Sequence, residues 1–175
     1  MHETNGDAPS VVFEKLYPDV ELPSRATAGA AGYDIRAYLT GSRTKLMSGS
    51  GVVERGPDPE ADVPFITLLP RDRAIIPTGF KVALPEGFEM QVRPRSGTSF
   101  KKGLEIINAP GTVDEDYRGE VGILVRNGTE LSMVIEHGER IAQVVFSRVA
   151  HPVMREGVVD ETARGAGGFG STGPR

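Results

Sequence analysis

The stretch that decides the fold runs from residue 65 to residue 93. It reads Phe65-Ile66-Thr67-Leu68-Leu69-Pro70, Ala74-Ile75-Ile76-Pro77, Phe80-Lys81-Val82-Ala83-Leu84-Pro85 and, after Gly87, Glu89-Met90-Gln91-Val92-Arg93. Each apolar run is too short for a helix, and proline or glycine closes each one. Short β-branched and aromatic runs with frequent turn residues are the mark of antiparallel strands. This segment predicts four strands, separated at Pro70, Pro77 and Pro85–Gly87.

The same rhythm extends in both directions. Upstream, residues 11–16 read as a strand stopped by Tyr17-Pro18, and Tyr33-Asp34-Ile35-Arg36 alternates as a half-buried strand does. Downstream come runs at 120–126, 131–135 and 140–146, with Asn127-Gly128 as a turn signal between the first two. The one helix expected is a turn or two over Ser96–Lys102, with Ser96 as its cap and Gly103 as its stop. Residues 41–64 break the rhythm with Gly, Ser, Pro and charge, and they are read as a long loop or surface insertion. The expected architecture is an all-β, jelly-roll-like sandwich or barrel in one domain over 11–150. A flexible leader at 1–10 precedes it, and a C-terminal arm at 151–175 follows.

Bulk composition narrows the function. A net charge of −4 over 175 residues argues against stable nucleic-acid binding, which needs a basic face. There are no cysteines, so disulfides, thiolate zinc sites and cysteine nucleophiles are excluded. The three histidines are widely spread and do not suggest a metal cluster. No apolar run approaches the ~20 residues of a membrane span, and the polar, acidic first residues do not resemble a secretory signal. The expected compartment is the cytoplasm.

Three segments could carry chemistry. Gly111-Thr112-Val113-Asp114-Glu115-Asp116-Tyr117-Arg118-Gly119 puts three carboxylates, a tyrosine and an arginine on one turn. A positioned carboxylate there could orient a water, although an acidic turn between strands has the same composition. Arg95-Ser96-Gly97 reads either as a phosphate cradle or as an ordinary capped turn. The arm Arg164-Gly165-Ala166-Gly167-Gly168-Phe169-Gly170-Ser171-Thr172-Gly173 is too glycine-rich to hold a structure of its own. It nevertheless carries a cation, an aromatic ring and two hydroxyls suited to covering a base and a phosphate.

In order, these segments resemble the five motifs of the trimeric deoxyuridine triphosphatase family: AGYDIRA at 31–37, PRSGTS at 94–99, GTVDEDYRG at 111–119, GERIAQ at 138–143 and RGAGGFGSTG at 164–173. The resemblance spans residues 11–173. It implies a homotrimer with shared active sites and a swapped C-terminal arm. The activity implied is hydrolysis of dUTP to dUMP and pyrophosphate, which keeps uracil out of DNA and supplies dUMP for thymidylate synthesis. Mg2+ would be held by the substrate phosphates and water, with no direct protein ligand.

By motif match, Asp114 would hold and deprotonate the attacking water, and Tyr117 would pack on the deoxyribose. Asn108 would contact uracil. Arg95, Ser96, Gly97 and Gln143 would hold phosphates, with Asp34 behind the arginines or the metal's waters. From the arm, Phe169 would lie over the base, while Arg164, Gly170, Ser171 and Thr172 would close on the γ-phosphate. Two departures stand out: the long 41–64 stretch, and Thr98 where many members carry an apolar residue. The nearest enzyme alternative is a dCTP deaminase, which resembles the family in fold but lacks the complete fifth motif. A non-enzymatic trimer that contacts a partner through 41–64 is the alternative of another class.

Overall fold

A computed structural model describes residues 9–49, 51–57 and 61–168. Among them the chain forms strands β1 (Val12–Lys15), β2 (Tyr33–Arg36), β3 (Thr44–Ser48), β4 (Gly51–Arg55), β5 (Phe65–Leu68), β6 (Arg73–Ala83) and β7 (Phe88–Arg93). Helix α1 (Ser96–Lys102) follows, and then β8 (Leu104–Ile106), β9 (Gly111–Val113), β10 (Glu120–Asn127), β11 (Met133–Glu136) and β12 (Arg140–Arg148).

The strands make three antiparallel sheets. The largest runs β4-β3-β6-β10-β8, with β1 also paired to β6; a second runs β2-β12-β7-β9; and β5 pairs with β11 alone. Alternation sends one face of each inward, so a single apolar core draws on all three sheets. Ile35, Met90 and Val144 come from the second sheet, Phe80, Ile76 and Ile123 from the first, and Leu68 and Ile135 from the third. Each fully buried side chain of this size contributes roughly 1.5–3 kcal/mol relative to exposure. The result is the all-β, jelly-roll-like architecture expected from the strand rhythm.

Three local expectations are corrected. Pro77 does not separate two strands: β6 runs unbroken for 11 residues from Arg73 to Ala83. The proline is accommodated because the β6–β10 ladder shifts register between Glu120 and Gly122, and Gly122 is paired with Pro77. A missing N–H is tolerated at such an irregularity. The Thr78 hydroxyl donates to the Val121 carbonyl there at 2.6 Å.

The stretch 41–64 is not a featureless loop. It carries the β3–β4 hairpin, and β3 extends the large sheet by pairing Lys45, Leu46 and Met47 with Ile75, Ala74 and Arg73. Thr44 and Leu46 are buried, which is enough to seat the hairpin although its second strand is largely exposed. Third, Ser96 is not the cap of α1. Arg95 occupies that position with extended backbone (φ −96, ψ 129) and makes no side-chain cap bond, so Ser96 opens the helix itself. Gly103 ends α1 in the left-handed conformation (φ 68), as expected.

Candidate active site

Strand β12 organises the first group of functional side chains. Its Gln143 lies opposite Asp34 of β2 on one side and Arg93 of β7 on the other. This register places the ends of β2 and β7 together, and Arg95 follows two residues after β7.

The Asp34 side chain is only 16% exposed and is gripped by two arginines. Arg95 donates through Nε to Oδ1 at 2.7 Å and through a terminal nitrogen to Oδ2 at 3.2 Å, the two-pronged geometry that fixes a guanidinium in plane. Arg140 donates to Oδ2 at 3.1 Å. The remaining terminal nitrogen of Arg95 faces the Thr98 hydroxyl at 3.3 Å and the Arg140 carbonyl at 3.2 Å.

Two cations on one carboxylate leave this cluster a net positive charge. Beside it, Gln143 donates to the Pro94 carbonyl at 2.8 Å. Its side chain packs against Gly32, so that a Cβ there would push Oε1 aside. Ser96 and Gly97 are exposed at the start of α1, next to the arginines.

The second group sits on the segment from β8 to β10. The Asn108 side chain packs against Gly111, at the turn into β9. Asp114 follows β9 directly and is exposed; its carbonyl accepts from the Tyr117 amide at 3.2 Å, which closes the turn. The Tyr117 hydroxyl donates to the Glu120 carbonyl at 2.9 Å, and its ring covers Gly119. Asp114, Tyr117, Thr112, Val113, Val121 and Gly122 line a hollow of about 200 Å³.

Among the described residues, no hydrogen bond or shared hollow joins Asp114 and Tyr117 to the Arg95 cluster. Strand β9 pairs with β7 so that Val92 faces Gly111 and Met90 faces Val113. Asp114 therefore lies level with Glu89, six residues along β7 from Arg95. At about 3.3 Å per residue this separation is roughly 20 Å.

Among the described residues, the arm makes no hydrogen bond to either group. Residues 151–166 are exposed, and the Arg164 guanidinium donates to the Gly167 carbonyl at 2.9 Å within its own turn. Phe169, Gly170, Ser171 and Thr172 lie outside the described residues. Arg140 and Thr98 were not assigned to the site by sequence reading, yet both hold Arg95. The only signal for Arg140 was its place in GERIAQ, where an arginine opening a strand has an ordinary structural reading.

The dUTPase family model matches residues 64–173. The deoxyuridine 5'-triphosphate nucleotidohydrolase of Rhizobium etli is 49% identical over 155 residues, covering 88% of this chain and 86% of the relative. That of Brucella suis is 44% identical over 176 residues, covering 99% of both. The Staphylococcus bacteriophage 80alpha dUTPase with dUPNHPP superposes with a TM-score of 0.74 at 26% identity, over 94% of this chain and 99% of its own. The fold also matches the dUTPase of phage phi11, described with a structural Mg(II) ion (TM-score 0.66, 22% identity, 87% and 99% covered). With paired arginines on Asp34, a separate Asp114–Tyr117 turn and relatives of this identity along nearly its whole length, the chain belongs to the dUTPase family.

Proposed function

We propose that this protein hydrolyses dUTP to dUMP and pyrophosphate, in sites shared between the subunits of a homotrimer. The observation that carries the reading is the separation of the two groups. A carboxylate can act as general base only within about 3 Å of the water it deprotonates. Asp114, level with Glu89 and roughly 20 Å from Arg95 if strand rise is extended to both residues, works in this reading against the arginines of another copy.

In the assembled site, Arg95, Ser96, Gly97 and Gln143 hold the phosphate chain, and Asp34 holds Arg95 and Arg140 in place behind it. Asn108 contacts uracil, and Tyr117 packs on the deoxyribose where a 2′-hydroxyl would need room. Asp114 accepts a proton from a water as that water's oxygen attacks the α-phosphorus. The bond from the α-phosphorus to the α,β-bridging oxygen breaks, and pyrophosphate leaves. Arg164, Phe169, Gly170, Ser171 and Thr172 close over the nucleotide, excluding water and aligning the phosphates. The dUMP produced is the precursor for thymidylate, and removal of dUTP keeps uracil out of DNA.

The donor set suits Mg2+ that arrives with the substrate. Among the described residues no three His, Asp or Glu side chains converge as a metal cage, and both oxygens of Asp34 are occupied by arginines. Mg2+ keeps most of its waters and binds phosphate oxygens readily, where it offsets charge on the departing pyrophosphate.

The test is pyrophosphate release with Mg2+ from dUTP, dTTP, dCTP and UTP in parallel. Release from dUTP alone supports both the chemistry and the discrimination of base and sugar. Ammonia release from dCTP would replace this reading with a deaminase, and silence on all four from a folded trimer would replace it with a binding protein.

A further inference from the structure

The turn that carries Asp114 is fastened to the rest of the chain by the next residue. Glu115 is half-buried, and its carboxylate accepts a hydrogen bond from the backbone N–H of Gly87, in the turn between β6 and β7. Gly87 has φ +74, a left-handed conformation that presents its amide to Glu115 and that other residues adopt at a cost. Its carbonyl accepts from the Val149 amide at 2.9 Å, where the chain leaves β12 for the C-terminal arm. From the other side, the Arg118 guanidinium bonds to the carbonyls of Glu115 at 2.6 Å and Tyr117 at 2.8 Å. The catalytic turn, the β6–β7 turn and the root of the arm thus converge on one glycine.

Among the described residues nothing fastens the Asp114 side chain in the same way: it is exposed, and the direction it faces depends on the turn beneath it. We infer that Glu115 is a positioning residue for Asp114, and that its carboxylate, bound to the Gly87 amide, sets the angle at which the base meets its water. The inference rests on the reading of Asp114 as general base. A displacement of about 1 Å in a reacting group can cost as much as 100-fold in rate, so a fastening that removes one rotation of the turn has a measurable effect.

The experiment compares Glu115→Ala, Glu115→Gln and Asp114→Asn by steady-state hydrolysis of dUTP and by thermal melting. Glu115→Ala is expected to lower kcat about tenfold while KM stays within about twofold. Glu115→Gln keeps an oxygen that can accept from Gly87 and is expected to restore most of kcat. An unchanged kcat in Glu115→Ala, with or without a lower melting temperature, overturns the inference. So does a Gln variant as slow as the Ala variant, since the charge would then act by another route. The Asp114→Asn arm separates the two failures. If that variant keeps its turnover, the proposed function fails at its base; if it is inactive while Glu115→Ala is not, only the positioning role fails.

Discussion

The two halves of the candidate site are built on opposite plans. The arginine half is preassembled, with Asp34, Arg95, Arg140 and Thr98 binding one another across two strands and helix α1 with its cap. The acidic half leaves Asp114 and Asn108 exposed on turns, with bonds made by the backbone around them. Under the proposed function, the difference follows from what each half would do. A phosphate chain has a fixed charge that rigid guanidinium groups can meet in advance, without reorganisation. A general base needs an unoccupied carboxylate, because any internal cation on it would compete with the water's proton.

The sharpest way to break this contrast is Asp114→Asn, which should keep nucleotide affinity and lower kcat by roughly 10³-fold, within the usual range for a positioned general base. Steady-state hydrolysis with dUTP checks it, and unchanged turnover would remove Asp114 from its role. Next in size is Asp34→Ala, which frees both arginines. We expect kcat/KM to fall about 10- to 100-fold through misplaced phosphate contacts. Equal activity would mean that Arg95 is held adequately by Thr98 and the Arg140 carbonyl alone.

A smaller signal tests whether the halves come from different chains. Asp114→Asn and Arg95→Ala subunits, each inactive alone, are mixed one to one, unfolded and reassembled. Random symmetric assembly should restore about a quarter of the wild-type activity, the chance that a site draws both intact halves. No recovery would place both halves of a working site in one chain.

The smallest effect lies behind the arginine half. Tyr38, two residues beyond the strand that carries Asp34, stacks on Tyr17 at 4.7 Å and donates its hydroxyl to Asp19 at 2.8 Å. Burial first, and then the Asp19 carboxylate, push the Tyr38 hydroxyl up to about 12. The folded state therefore keeps this proton above the ordinary tyrosine range. Its contribution to stability is complete below pH ~10 and is lost as the pH rises towards the folded value. Tyr38→Phe should cost about 1 kcal/mol near neutrality. The gap between the two proteins in urea midpoint should close as the pH passes 11 to 12; a gap independent of pH would show that the bonded proton is not its source.

How much of this was legible beforehand depends on whether a feature is local. Short apolar runs bounded by Pro and Gly suffice to specify an antiparallel β protein, because strand alternation and turn chemistry act over a few residues. The family was legible for a related reason: Asp114, Tyr117, Arg95 and Gln143 stand in compact motifs whose order along the chain is itself distinctive. The hairpin at 44–55 was not legible. Its burial rests on Leu46 and Thr44 docking beside β6, a pairing between segments about thirty residues apart in the chain. Pro77 misled for the same reason, since only the register of β10 reveals the irregularity that admits it. Arg140 and Thr98 joined the Asp34–Arg95 cluster only when β12 was laid between β2 and β7. Residue type, spacing and local turn chemistry were determined by the sequence alone. Which guanidinium meets which carboxylate, and that the end of β9 before Asp114 pairs with Met90 rather than with the end of β7 before Arg95, was decided by the tertiary structure, because strand register is a long-range choice that no short window contains.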